Sequence, residues 1–355
     1  AFQAAIALDP NYADAYVGLA EAQLRSFIEY QDVNLLTSME STIEKLIQVD
    51  SSHFLLSYLQ GELRLNQGDY VKAARLFSQS IDLKPNFLKA YTGLSDAYIQ
   101  LDQLIKAERI LLKAYDVLPN NNGVLTNLGA FHYGNGEYQR ALEYFERLAQ
   151  QTPNNYIAFL NMSACHYLIG DFEKAISTAE KALAIQPNAD GYANLGTSYF
   201  MLKEYNKSVE MYEEMIKLND SDYINWGNLA DAYRFANNNK YYVAFQKAIK
   251  LARQAFILNP DNKYAISLLA YYYANLNEVE EAEFYANKIN AEDLGENQFF
   301  VAAAYTRLNM NEKAFKYLTY SIHSNYSIAE IIKSPLLYKL RSELQYQQLI
   351  AESLK

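Results

Sequence analysis

Four prolines, Pro85, Pro119, Pro153 and Pro187, stand 34 residues apart. The residues between them recur in the same phase: Ala107, Ala141 and Ala175; Ala114, Leu148 and Ala182; Tyr98, His132 and His166. A fixed period of this length dictates a stack of helix–turn–helix units, because one such unit cannot bury its apolar face alone and a neighbour must cover it. Stacked units share a continuous core, so the 355 residues need not split into the two or three globular domains that length suggests.

The register extends outward from the four prolines when the proline is counted as repeat position 32. Residues 1–12 read as the second helix of a partial unit closing at Asp9-Pro10. Tyr16, Leu19 and Ala20 then open a first helix, and its partner ends near Asp50, seven residues later than the period predicts. Residues 26–32 therefore read as an insertion or a helix extension. Residues 54–85 form the next unit, with the turn Gln67-Gly68-Asp69-Tyr70, followed by three regular units at 88–119, 122–153 and 156–187. The unit at about 190–220 carries Asp220 in place of proline but keeps Tyr192, Leu195, Gly196 and Tyr199. Trp226, Leu229, Ala230 and Tyr233 open a unit that reaches Pro260 with about six extra residues around 237–240. Two weaker units, about 263–294 and 295–325, keep Ala282 and Ala314.

Period and pattern resemble the tetratricopeptide repeat (TPR) family across nearly the whole chain. The resemblance implies an all-α, right-handed superhelical α-solenoid over residues 1–325: the partial unit, then about nine TPR units, irregular near 13–51 and 223–261. Residues 326–355 are expected as C-terminal capping helices. Ser327-Ile328-Ala329-Glu330 reads as a capping box and Ser334-Pro335 as an N-cap followed by proline at the first helical position. Tyr338, Leu340, Tyr346 and Leu349 are expected to cover the apolar end of the stack.

At 100° per residue, positions 4, 7, 8 and 11 of each first helix share one core-facing stripe, as in Leu125, Leu128, Gly129 and His132. Small residues at positions 8 and 20 let the two helices of a unit approach closely. The opposite stripe holds positions 2, 5, 6, 9, 12 and 13, which in the family line a concave groove for extended peptides. Asn127, Asn161, Asn194 and Asn228 all occupy position 6. An asparagine amide both donates and accepts, so a row of them matches a peptide backbone. This resembles the asparagine ladder of the O-GlcNAc transferase repeat domain. Asparagine is also common at this position in the family at large, and both readings stand. Tyr133, Leu160, Tyr167, Phe200, Arg234, Phe235, Tyr264 and Tyr271 complete the candidate peptide-binding set. Basic residues on the stripe are few, mainly Lys89 and Arg234, so the basic half of the two-carboxylate clamp of the Hsp90/Hsp70-binding members is missing.

Composition narrows the function classes. Half of the residues are apolar and 14% aromatic, which excludes disorder, and no apolar run approaches the roughly 20 residues that span a bilayer. A net charge of −10 argues against nucleic acid as a partner. The lone Cys165 excludes an internal disulfide. His132 and His166 lie one period apart but on the core stripe, so they read as structural rather than as metal ligands. There is no zinc-protease helix motif, no phosphate-binding loop and no nucleophile elbow; neither an enzyme nor a cofactor is expected.

The start, Ala1-Phe2-Gln3-Ala4-Ala5-Ile6, is already inside a helix pattern and carries no secretory signal, as expected of a fragment of a longer protein. Ile6-Ala7-Leu8-Asp9-Pro10-Asn11-Tyr12-Ala13 resembles repeat arrays of bacterial multi-domain regulators, in which a winged-helix, cyclase or Ser/Thr kinase domain is fused to TPRs. The expected function is a non-enzymatic scaffold that binds an extended peptide or partner segment in its groove. The alternative is a ligand-sensing regulatory domain for an effector outside these residues, which predicts an enclosed pocket. The compartment, bacterial periplasm or cytoplasm, and the oligomeric state stay open.

Overall fold

The computed structural model describes residues 1–324 and 326–354, and among these it contains helices and no strand. They fall into two compact units. The first, Ala1–Pro153, holds α1 (Phe2–Leu8), α2 (Ala13–Tyr30), α3 (Val33–Val49), α4 (Leu56–Asn66), α5 (Tyr70–Leu83), α6 (Leu88–Gln100), α7 (Leu104–Val117), α8 (Asn122–Gly134) and α9 (Tyr138–Gln151). The second begins at Asn154 and holds α10 (Tyr156–Ile169), α11 (Phe172–Ile185), α12 (Ala189–Met201), α13 (Tyr205–Leu218), α14 (Tyr223–Phe235), α15 (Tyr241–Leu258), α16 (Lys263–Asn275), α17 (Val279–Ala286), α18 (Gly295–Arg307) and α19 (Asn311–His323). It ends with α20 (Ile328–Lys333), a 3-10 turn at Pro335–Leu337 and α21 (Leu344–Ser353). Within each unit consecutive helices pack in pairs and each pair packs on the next, the contact pattern of a TPR solenoid.

The close crossing inside each pair is built from small residues. Ala73, Ala107, Ala141, Ala175, Ser208, Ala282 and Ala314, all at position 20, are buried. Where a hydroxyl enters the crossing it ties the pair: Ser163 Oγ donates to the Ala175 carbonyl at 2.8 Å, and Ser208 Oγ to that of Gly196 at 2.7 Å. Phe77 sits between Gly61 and Gly93, and a Cβ on Gly93 would fall 2.4 Å from its Cζ. The position-4 aromatic closes the unit from outside. Tyr16 and Tyr91 donate to the carbonyls of Pro10 and Pro85 at 3.0 and 2.8 Å. Trp226 Nε1 makes the same bond to Asp220 at 2.8 Å, so the tie survives where the proline is lost.

From α4 onward, every turn inside a pair passes through one left-handed residue at position 15. It is Gly68, Asp102, Gly136, Gly170, Lys203, Asn237, Asn277 or Asn309, with φ between 55° and 89°. In α2 that residue is Gln31, four places late, which is one extra helical turn. The seven surplus residues of this pair thus enter as longer helices, 18 residues in α2 and 17 in α3. Around 237–240 the surplus is shared between a longer turn and α15, which runs to 18 residues where α13 has 14.

The C-terminal caps form as the residues dictate: Ser327 accepts from the Glu330 amide and Ser334 from that of Leu336, with Pro335 opening the 3-10 turn. Their placement departs from the expectation that this segment covers the end of the stack. While α21 packs against α19, Lys333 reaches the Gly170 carbonyl at the end of α10, and Tyr338 lies 6.2 Å from Phe235 on α14. Residues 328–338 therefore lie across the inner stripe of the second unit, with Ile331 and Leu337 fully buried.

Candidate binding faces on the inner stripe

In the first unit, position 9 of three successive first helices carries a carboxylate: Glu21 on α2, Glu62 on α4 and Asp96 on α6. One cation answers them. Lys89 Nζ lies 3.0 Å from Glu21 Oε1 and 5.8 Å from the Tyr58 ring centroid. Burial, with Asp96 adding to it, pushes the Glu62 carboxyl up to about 7, against the opposing pull of Tyr58 and Lys89. Desolvation also raises Asp96, which solvent still reaches. Both carboxylates thus keep contact with solvent while the surrounding protein disfavours their charged form. The sequence reading missed this row, although the shared register of the three acids was the signal; an interrupted Glu-Glu-Asp series is harder to see than four identical asparagines.

Asn127 and Tyr133 are the residues of this unit expected from sequence. Asn127 Nδ2 donates to Thr92 Oγ1 at 2.6 Å, bracing α8 against α6. Tyr133 is exposed, its ring 5.6 Å from that of Tyr138. His132 is buried, with Nδ1 2.6 Å from Glu137 Oε2 and its ring stacked on Tyr144. That bond to His132 holds the Glu137 carboxyl below its usual range.

In the second unit, Asn161, Asn194 and Leu160 line an open depression between α10 and α12, with Asp190 at its edge. Asn194 Nδ2 donates to the Leu160 carbonyl at 3.4 Å, the same position-6 to position-5 brace that Asn127 makes. Asn228, Tyr167 and Phe200 line a separate cavity of about 340 Å³ that residues of the C-terminal segment help to wall. Arg234, Phe235 and Tyr264 are half-buried, whereas Tyr271 lies in the interior, so the stripe does not present its ring to an open groove. The reason is a polar knot. Tyr271 donates to Asp231 Oδ1 at 2.6 Å, and Arg234 Nη2 reaches the same oxygen at 3.1 Å and the Tyr271 hydroxyl at 3.3 Å. Burial raises the Asp231 carboxyl in spite of Arg234.

Cys165 is buried and its thiol pushed up to about 12 by desolvation. Among the described residues no group of three or more His, Cys, Asp or Glu side chains could hold a metal ion, and no helix is long and apolar enough to cross a membrane.

Helix pairs in a near-constant period, crossing over small residues and presenting a polar and aromatic inner stripe, define a helical-repeat protein. Tetratricopeptide-repeat family models match residues 64–122 and 132–198, and a further one matches 189–222, so these stretches are tetratricopeptide repeats. No curated protein matches it. Among solved structures, the APC/C hetero-tetramer Cut9–Hcn1 is similar at 14% identity and a TM-score of 0.51, covering 98% of this chain and 56% of that one. At that identity the likeness speaks to fold alone. MamA (41-end) from Desulfovibrio magneticus RS-1 is similar at 23% identity and a TM-score of 0.43, over 47% of this chain and 95% of that one. YrrB, described as a TPR protein with an unusual peptide-binding site, matches at 24% identity and a TM-score of 0.35, over 53% and 93%.

Proposed function

We propose that this chain is an interaction scaffold that holds an extended, basic segment of a partner protein against the inner stripe of its first helices. The observation that carries the reading is the second unit's own C-terminal segment, seated across that stripe and burying Ile331 and Leu337 there. A stripe that takes up polypeptide in the second unit supports the same use of the equivalent stripe in the first. In residues 1–153 the row Glu21, Glu62 and Asp96 has a single lysine nearby, so an arriving lysine or arginine side chain relieves like-charge repulsion as well as forming charge-assisted hydrogen bonds. The asparagines contribute through their carbonyl oxygens, since Asn127 and Asn194 spend an N–H on the neighbouring helix. Tyr133 offers further contact in the first unit, and the Asn161–Asn194 depression offers a contact of its own in the second.

A peptide array probed with the labelled chain tests this. Peptides with spaced Lys or Arg are expected to retain it. The triple variant Glu21→Gln, Glu62→Gln, Asp96→Asn should weaken retention at least tenfold, each charged contact being worth about 1.5–3 kcal/mol. The variant with Asn127, Asn161, Asn194 and Asn228 all changed to alanine should weaken it less, at about 0.5–1.5 kcal/mol per lost bond. Equal retention by both folded variants and the parent would move the interface off the stripe.

A further inference from the structure

The cavity of about 340 Å³ in the second unit combines aromatic walls with two carboxylates that form no ion pair among the described residues. Its walls are aromatic: Tyr167, Phe200, Phe299, Phe300 and Tyr326 contribute, with Phe299 stacked on Tyr326 at 5.0 Å between centroids and 5.5 Å from Phe300. Its charged groups are Asp231, Glu296 and Glu330, and no described lysine or arginine lines it. Asp231 is already neutralised by Arg234. Glu296 and Glu330 are not: each has a tyrosine hydroxyl within reach, Tyr264 and Tyr326 respectively, and the other acidic side chain acting on Glu296 is Glu330, of like charge. The Asn228 amide, on the same wall, makes no hydrogen bond to another described residue.

We propose that this cavity is a binding site for an organic cation, an alkylammonium or guanidinium group on an apolar body. Glu296 and Glu330 supply the counter-charge, the aromatic lining formed by Phe200 and the stacked Phe299–Tyr326 pair supplies the cation–π surface, and Asn228 orients a polar substituent. The chemistry is mutually dependent. Aromatic faces attract a cation through their quadrupole, most strongly when it is desolvated. Two carboxylates facing one cavity repel each other unless a positive charge lies between them. A neutral apolar ligand leaves that repulsion unrelieved, and an anion adds to it. The volume lies within the range of small-molecule sites, about 300–1,000 Å³. Glu330 belongs to α20 and Glu296 to α18, so an occupant bridges the C-terminal segment to the repeat helix beneath it. The site is separate from the peptide stripe of residues 1–153 and stands or falls without it.

The two sources of such a cation, a free amine and a basic side chain of a peptide, are separated by the choice of probes. Choline, agmatine and an amide-capped trimethyllysine are titrated calorimetrically into the chain, with 3,3-dimethylbutanol as the neutral isostere of choline. At least one cation should bind, at least tenfold tighter than the isostere. A preference for choline or agmatine assigns a free amine, and a preference for the capped lysine assigns a peptide side chain. Glu296→Gln and Glu330→Gln should each weaken binding about tenfold. Both variants should melt no lower than the parent, because each removes one of two repelling charges and no ion pair; a merely structural role would lower the melting temperature. No binding by any cation, or equal binding of the neutral isostere, would overturn the assignment.

Discussion

Glu62 shows what the inner stripe asks of a single residue. Its carboxyl sits among Tyr58, Lys89 and Asp96, and its folded-state pKa is raised to about 7, above the ordinary carboxylate range. The folded state therefore holds a proton more tightly than the unfolded one between roughly pH 4.5 and 7. Through linkage, this group costs stability as pH rises across that window and costs nothing below it. Solvent at the groove discounts the shift, leaving a penalty of about 1 kcal/mol at pH 8. Glu62→Gln should then stabilise the chain by about that amount at pH 8 and change little at pH 4. Urea denaturation at the two pH values measures it. An equal effect at both would mean that the carboxylate is fully solvated. The residues that contribute to the candidate site were legible to different degrees for the same physical reason. Four asparagines in phase are visible because the residue type repeats, whereas the acid row and the burial of Tyr271 depend on what faces them across helices.

At the scale of the helix pair, the period was legible and the turn chemistry only partly so. Pro85, Ala107 and their equivalents announce where helices begin, cross and end, and the helix bounds follow. Position 15, by contrast, holds Gly, Asp, Lys or Asn, and the left-handed conformation common to all of them shows only in the backbone. Geometry, not residue type, is what repeats there. Glycine adopts this conformation without strain, whereas a side chain costs about 1–2 kcal/mol, partly offset by the lower entropy of its unfolded state. Lys203, at φ 63°, and Asp102, at φ 56°, carry that cost in turns otherwise equivalent to that of Gly136. Lys203→Gly should stabilise the second unit by about 0.5–1 kcal/mol, and Gly136→Ala should destabilise the first by about 1 kcal/mol. Thermal unfolding followed by circular dichroism reads both; a loss of stability in Lys203→Gly would show that the lysine makes contacts worth more than the strain. The irregular pairs follow the same logic. A whole extra turn in α2 leaves the left-handed residue on the same side of the helix, so the pair lengthens without rotating its stripe.

For the molecule as a whole, the least legible feature was where the C-terminal segment lies. Its caps follow from local residues, Ser327 and Ser334, but its path depends on the surface that the stacked first helices create, which no single window of sequence contains. That path covers the inner stripe of the second unit from α10 to α18. Two arrangements account for the cover. Either the segment is an integral piece of the core, or it docks on a stripe that is already formed. Ile331, Leu337 and Leu340 are fully buried and Tyr346 nearly so, which favours tight seating in both. The contacts favour docking: the helix pairs α10–α11 through α18–α19 pack on one another directly, and the segment meets them at the stripe, at the α18–α19 turn through Lys339 and Asn309, and on α19. Leu340→Ala, which creates a cavity costing about 2–5 kcal/mol, separates the two. If the segment docks, hydrogen exchange should lose protection in α20 and α21 while amides in α12 and α14 keep theirs, and the newly bared stripe should bind the basic peptides proposed for residues 1–153. Simultaneous loss of protection across α10 to α21 would make the segment part of the fold and restrict partner binding to the uncovered stripe.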